Sequence, residues 1–152
     1  MIDHFPMSDC LHSDVAVRRG IDNTPNDEQL ANIEETKLQM EVVRSLLGNE
    51  PIMVNSWFRS PKLNTAIGGS PSSAHMQGLA VDFTRKGQTP KESFMAILES
   101  NLLFDQLILE GVSKDSPGGI WVHIGFAETP RRQAMTCEFI GGHPIYKPFL
   151  EA

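Results

Sequence analysis

The chain is short of cysteine, short of basic residues and without a long apolar run, and each shortage closes off a class of protein. Cys10 and Cys137 are the only cysteines, which excludes a disulfide-dense scaffold and a thiolate metal site of the C-x-x-C kind. The pair allows one disulfide, but two reduced, buried thiols are the preferred reading. Lys and Arg number 13 against 19 Asp and Glu, a net charge of -6. A general nucleic-acid binder needs a basic face that this balance does not supply, and no broad attraction to an anionic cell envelope follows from it either. No stretch approaches the roughly 20 apolar residues of a membrane span. The segment from Met1 to Asp9 has no basic start followed by an apolar run, so it does not read as a signal peptide, and synthesis and folding in the cytoplasm are expected.

What remains is an ordinary globular composition, 40% hydrophobic and 21% charged over 152 residues, enough for one domain with a substantial core. Within a single domain over residues 1–152, three parts are expected: an N-terminal wrap and long helix over 1–48, a sheet core over 49–127, and an irregular tail over 128–152. Phe5 to Arg19 reads as a strand or turn and then a short helix capped by Ser8. Asn26 to Leu47 predicts the longest helix, with Leu30, Ile33, Leu38, Met40, Val42, Val43, Leu46 and Leu47 as its apolar stripe and Gly48 as its end. Ile52 to Phe58 predicts a strand, Ser60-Pro61 opens a short helix, and Thr89-Pro90-Lys-Glu92 caps a helix running to Asn101. Phe104 to Glu110 and Ile120 to Phe126 predict antiparallel strands around the polar loop Gly111 to Gly119. A further strand is expected near Ala134 to Ile140. The fold class is α+β, a small antiparallel sheet covered by a few helices.

The chemistry concentrates in Ser70-Pro-Ser-Ser73-Ala-His75-Met-Gln-Gly78-Leu-Ala80-Val-Asp82. Leu79, Val81 and Phe83 alternate with Ala80 and Asp82, the period of a half-buried strand, so Asp82 faces away from three apolar side chains. Gly78 permits a sharp reversal just before that strand, which folds His75 back beside Asp82. In Trp121-Val-His123-Ile-Gly125-Phe126 the same alternation puts His123 on the face opposite Val122, Ile124 and Phe126. Two histidines and one carboxylate make a catalytic zinc set with a fourth position left for water. We therefore read His75, Asp82 and His123 as the ligands of one zinc ion.

The pattern Ser70-x-x-Ser73-x-His75-x-x-Gly78-x-Ala80-x-Asp82, followed by Trp121-Val-His123, resembles the zinc D-Ala-D-Ala carboxypeptidase and dipeptidase superfamily (peptidase M15-like). Its fold is shared with the Hedgehog signalling domain. The resemblance runs from about Phe5 to Phe126 and is nearest to short, often phage-encoded members that cut peptidoglycan peptides. It implies a zinc metallopeptidase, either carboxypeptidase or endopeptidase, acting on stem or cross-linking peptides as a phage or prophage lysis enzyme. It further implies a monomer that depends on a separate holin-like protein to reach the wall. In Ser56-Trp-Phe-Arg59-Ser60 it implies that Arg59 faces the cleft, where a guanidinium can grip a substrate carboxylate through two parallel hydrogen bonds.

Several branches of that superfamily carry the catalytic acid three residues before the last histidine, a position held here by Ile120. Glu110 is the expected substitute, because it ends the neighbouring strand on the face that His123 uses; Asp105 is the weaker alternative. Ser73 and Gln106 are expected to orient a histidine ligand or a substrate amide. His143 could visit the cleft from its loop, and His4 and His12 are read as surface residues. Two other functions compete: a cytoplasmic zinc dipeptidase or carboxypeptidase on small D-Ala-type peptides, and a non-catalytic metal-bearing binding module, for which Ile120 is the main support.

Overall fold

In the computed structural model, which describes residues 2–150, the elements follow in the order α1 (Met7–Leu11), α2 (Asp14–Arg19), α3 (Asp27–Leu46), β1 (Ile52–Ser56), α4 (Pro61–Ala66), a 3-10 turn (Ala74–Gln77), β2 (Ala80–Arg85), α5 (Pro90–Leu98), β3 (Gln106–Glu110), β4 (Trp121–Gly125), β5 (Gln133–Ile140) and β6 (His143–Pro148). All helix starts but that of α1 are marked by a side-chain cap. The Asn26 side chain accepts from the Gln29 N–H while Gln29 accepts from the Asn26 N–H, and Thr89 and Glu92 make the same reciprocal cap on α5. Ser60 caps α4, where Pro61 takes the first turn. The cap expected at Ser8 is not made. Instead the segment splits into two short helices, and Ser13 caps the second by accepting from the Ala16 N–H.

Along α3 the buried positions are Ile33, Thr36, Met40 and Val43, continued by Leu47, a set of three- and four-residue steps that stays on one face. Leu38 and Val42, expected in the same stripe, are 71% and 50% exposed, because their spacing puts them on the other side of the cylinder.

The strands form one sheet in the order β1-β2-β4-β3-β5-β6. Most neighbours are antiparallel, as expected, but β3 and β5 run parallel, so the sheet is mixed. The reason is local. After β4 the chain steps over the near end of β3, with the Arg132 N–H donating to the Phe104 carbonyl and the Gln133 N–H to that of Asp105, and returns on the far side of β3. A strand antiparallel to β4 but placed beyond β3 must run parallel to β3.

Val81, Phe83, Leu107, Leu109, Val122 and Ile124 turn one sheet face into the core, where they meet α3, α5 and the buried aromatics Phe5, Trp57, Phe58, Phe94 and Phe104. The opposite face carries Asp82, Ile108, Glu110 and His123 and is left for the cleft. The region expected as an irregular tail holds β6, which pairs antiparallel with β5 from Ile140↔His143 to Met135↔Pro148. Gly141 and Gly142, at φ of +60° and +80°, make the two-residue turn that joins them. Pro144 and Pro148 lack an N–H, which suits a strand at the sheet edge. Residues 1 and 151–152 of the expected wrap and tail lie outside the described residues. Among the described residues no helix is long and apolar enough to cross a membrane.

Candidate metal centre and cleft

His75 reaches the site because the chain doubles back at Gly78. Ser73 caps the 3-10 turn by accepting from the His75 N–H, and Gly78 closes it at φ +76°. Two groups then hold the Gly78 carbonyl: the Thr36 hydroxyl of α3 at 2.9 Å and the Trp57 indole N–H at 3.3 Å. Asp82 and His123 face each other across β2 and β4 as directly paired residues, so both project from the same face. This is the juxtaposition expected from the alternation.

The three side chains are almost fully buried, and one potential ligand atom from each lies within 4.8 Å of the others. His123 Nδ1 is 2.8 Å from Asp82 Oδ1, and His75 Nε2 is 3.2 Å from the same oxygen. His75 Nδ1 is 2.7 Å from the Trp57 carbonyl oxygen. A carbonyl only accepts, so this nitrogen carries the proton and Nε2 presents a lone pair. That lone pair is buried without a hydrogen-bond partner and faces a carboxylate oxygen. A cation between the two resolves that repulsion. The donor set, two imidazoles and a carboxylate with the first tautomer fixed from behind, fits one zinc ion.

Electrostatics follow the burial. Burial pulls the His75 imidazole below its usual pKa against the pull of Asp82. Burial also opposes charge on Asp82 and His123, but their mutual hydrogen bond and attraction win: the Asp82 carboxyl is held far below the carboxylate range and the His123 imidazole is raised.

Around this group the structure brings together most of the expected residues. Glu110 lies in the cleft, 9% exposed, with Oε1 3.8 Å from His123 Nδ1. Burial, and then the negative charge of Asp82, push its carboxyl up to about 7. Arg59 is pinned on three sides: Nε donates to Ser56 Oγ, Nη1 to Asn64 Oδ1 and Nη2 to Asp82 Oδ2. Ser73 acts on His75 through its backbone, as a cap. Gln106 does not touch a histidine; it lines the cleft and donates to Gln133 Oε1. Asp105 is taken by Arg131, whose two guanidinium bonds of 2.9 Å hold the carboxyl below its usual range. It therefore lacks the free basicity that a proton shuttle needs. Ile120, at the position of the missing acid, packs its side chain over Gly111 and does not line the cleft. His143 opens β6 exposed, outside the cleft lining, and His4 is anchored to Glu41 at 2.9 Å. Both cysteines are free and buried, as preferred from the sequence.

Two groups of residues were not evident beforehand. Asn64, 2% exposed, joins Arg59 to the following loop; its only trace in the sequence is its place one turn after Ser60. Tyr146 enters through β6, in a row with Glu110 and Cys137 across three strands, and forms one wall with Phe139 and Trp121. The cleft they help to bound has a volume of about 1190 Å³ and is also lined by Ser70, Ser72 and Ser73.

The fold and this group together define an α+β protein with a two-histidine, one-carboxylate metal centre set in an open cleft. The Peptidase M15 family model matches residues 3–124, and the chain belongs to that family. It is also similar to the zinc D-Ala-D-Ala carboxypeptidase of Streptomyces albus G, 40% identical over 52 residues, 34% of this chain. The match spans only 20% of that relative's length.

Proposed function

We propose that the protein is a zinc peptidase that hydrolyses an amide bond in peptidoglycan stem or cross-linking peptides, and that it serves cell-wall lysis of the phage or prophage kind. The observation that carries the reading is the placement of Glu110, a buried carboxylate 3.8 Å from a histidine of the metal group and open to the same cleft. His75, Asp82 and His123 would hold the zinc, which when bound would supply Lewis acidity and acidify water to a pKa of about 7. Glu110 takes the proton of the attacking water and returns it to the leaving amine nitrogen, so the proton count of the residue is unchanged over the cycle. Arg59 offers the N–H groups not used by Ser56, Asn64 and Asp82 to a substrate carboxylate or to the developing oxyanion. The Trp57 carbonyl keeps His75 in one tautomer throughout.

The burial of Arg59 favours the second reading, a carboxypeptidase or dipeptidase that clamps a terminal carboxylate. The lysis role, a monomeric state and release through a holin-like partner rest on the resemblance to short phage-type members. Mass spectrometry of products from zinc-loaded protein incubated with purified sacculi, and in parallel with free D-Ala-D-Ala peptides, tests the proposal. Soluble muropeptides with new stem termini support it; cleavage of the small peptides alone supports the second reading, and cleavage of neither overturns both.

A further inference from the structure

We propose that Asn64 is a positioning residue: it holds the Arg59 guanidinium in the cleft by tying it to the backbone of the Gly69–Ser70 loop. The inference rests on the reading of Arg59 as the substrate-gripping group. Arginine only donates and a carbonyl only accepts, so the partners of Asn64 dictate its amide orientation. Oδ1 accepts from Arg59 Nη1 at 3.3 Å, and Nδ2 donates to the Ser70 carbonyl at 2.9 Å. The main chain of Asn64 is fixed as well: its N–H donates to the Ser60 carbonyl at 2.9 Å, and its carbonyl accepts from the Gly69 N–H at 2.8 Å.

The loop in turn is built around this side chain. A Cβ added at Gly69 would stand 2.1 Å from Asn64 Oδ1 and 2.8 Å from its Cγ. Gly69 is not in the left-handed region, so close approach, not backbone conformation, is what requires glycine there. The same loop continues through Ser73, the cap of the turn that carries His75. Its path therefore couples the place of the guanidinium to the place of a metal ligand. Without Asn64, the outer edge of Arg59 keeps only Ser56 and Asp82. A long side chain then samples other rotamers, and a misplacement of about 1 Å in a clamp costs up to about 10²-fold in rate.

The test uses zinc-loaded protein and soluble stem peptides with the terminal carboxylate free or amidated. Asn64→Leu removes both side-chain bonds, and Asn64→Asp keeps an acceptor against Nη1. Gly69→Ala displaces the amide without touching it, and Arg59→Lys is the reference. The expected result is that Asn64→Leu and Gly69→Ala retain zinc and lower kcat/KM on the free carboxylate about 10-fold or more, mainly through KM. Both should lose less kcat/KM on the amidated peptide than on the free carboxylate, Asn64→Asp should lose less than Asn64→Leu, and Asn64→Leu combined with Arg59→Lys should be no worse than Arg59→Lys alone. Nitrogen-15 spectra give a readout independent of turnover. The guanidinium signals missing in Arg59→Lys identify Arg59; in the wild type its terminal nitrogens should exchange slowly, and in both Asn64→Leu and Gly69→Ala they should average. Slow exchange that survives in both variants, or losses that add fully in the double variant, would overturn the inference. If Arg59→Lys changes no kinetic constant, the reading of Arg59 fails, while the spectra still decide whether Asn64 restrains it.

Discussion

At the scale of single residues, the candidate centre depends on three buried side chains, with both imidazoles close to the same Asp82 oxygen. Removing one leaves two protein ligands, which hold zinc poorly, so His123→Ala is expected to lose the metal. Metal content after gel filtration checks this, and full occupancy would show that His123 is not a ligand. Glu110→Gln keeps shape and removes basicity. Zinc content and folding should survive it, while kcat falls by about 10²–10⁴ with little change in KM, the usual cost of losing general-base catalysis. Near wild-type turnover would assign the proton transfer elsewhere. The candidate site was largely legible in the sequence: a strand's two-residue period tells which side chains leave the core, as it does for Asp82, His123 and Glu110, and the reversal at Gly78 placed His75 beside them. Asn64 and Tyr146 were not. Their roles arise from contacts with Arg59 and with the row through Glu110 and Cys137, which no local period records.

At the scale of elements, the turn before β2 is the most constrained piece of backbone in the site. Gly78 has φ +76°, and a Cβ there would meet Ile33 Cγ1 at 2.7 Å and the Gln29 carbonyl oxygen at 3.1 Å. Gly78→Ala therefore carries both backbone strain and a clash with α3, and a loss of stability of about 1–3 kcal/mol is expected. Thermal unfolding of the zinc-loaded variant measures it; an unchanged Tm would mean that α3 yields freely. The cap at Thr89 and the helix opening at Ser60-Pro61 were readable because capping is a local exchange of hydrogen bonds. The width of the α3 stripe was overestimated because hydrophobicity marks apolar residues without saying which side of the cylinder they occupy. Only the buried steps from Ile33 to Leu47 do. The strand β6 was missed for a related reason: its prolines and exposed side chains look like loop, and only pairing with β5 makes it a strand.

At the scale of the whole molecule, the order of strands is set by the segment that steps over β3. The Asp105–Arg131 pair ties the end of that segment to the start of β3, with Arg132 stacked 4.7 Å above the Phe104 ring. Because Arg131 holds the Asp105 carboxyl below its usual pKa, the clamp's contribution is present above the unfolded carboxylate value of about 3.9 and is lost as pH falls through the lower folded value. Asp105→Asn should thus lower Tm slightly at neutral pH and leave it unchanged in strong acid, so the two Tm curves converge as pH falls below about 4. Curves that stay parallel would show that the clamp does not contribute through this charge. The parallel pairing of β3 with β5 was not legible, since it depends on which side of β3 the returning chain takes.

The candidate metal ligands come from the turn before β2, from β2 and from β4, and the family match ends at residue 124, inside β4. The outer hairpin of β5 and β6 lies wholly beyond it, yet it brings Phe139 and Tyr146 to the cleft. The reacting centre and one bank of its channel thus belong to separable stretches of chain. Exchanging the hairpin's side chains would reshape that bank of the cleft without disturbing a single residue of the metal group, so this edge is where the selectivity of the site has room to change.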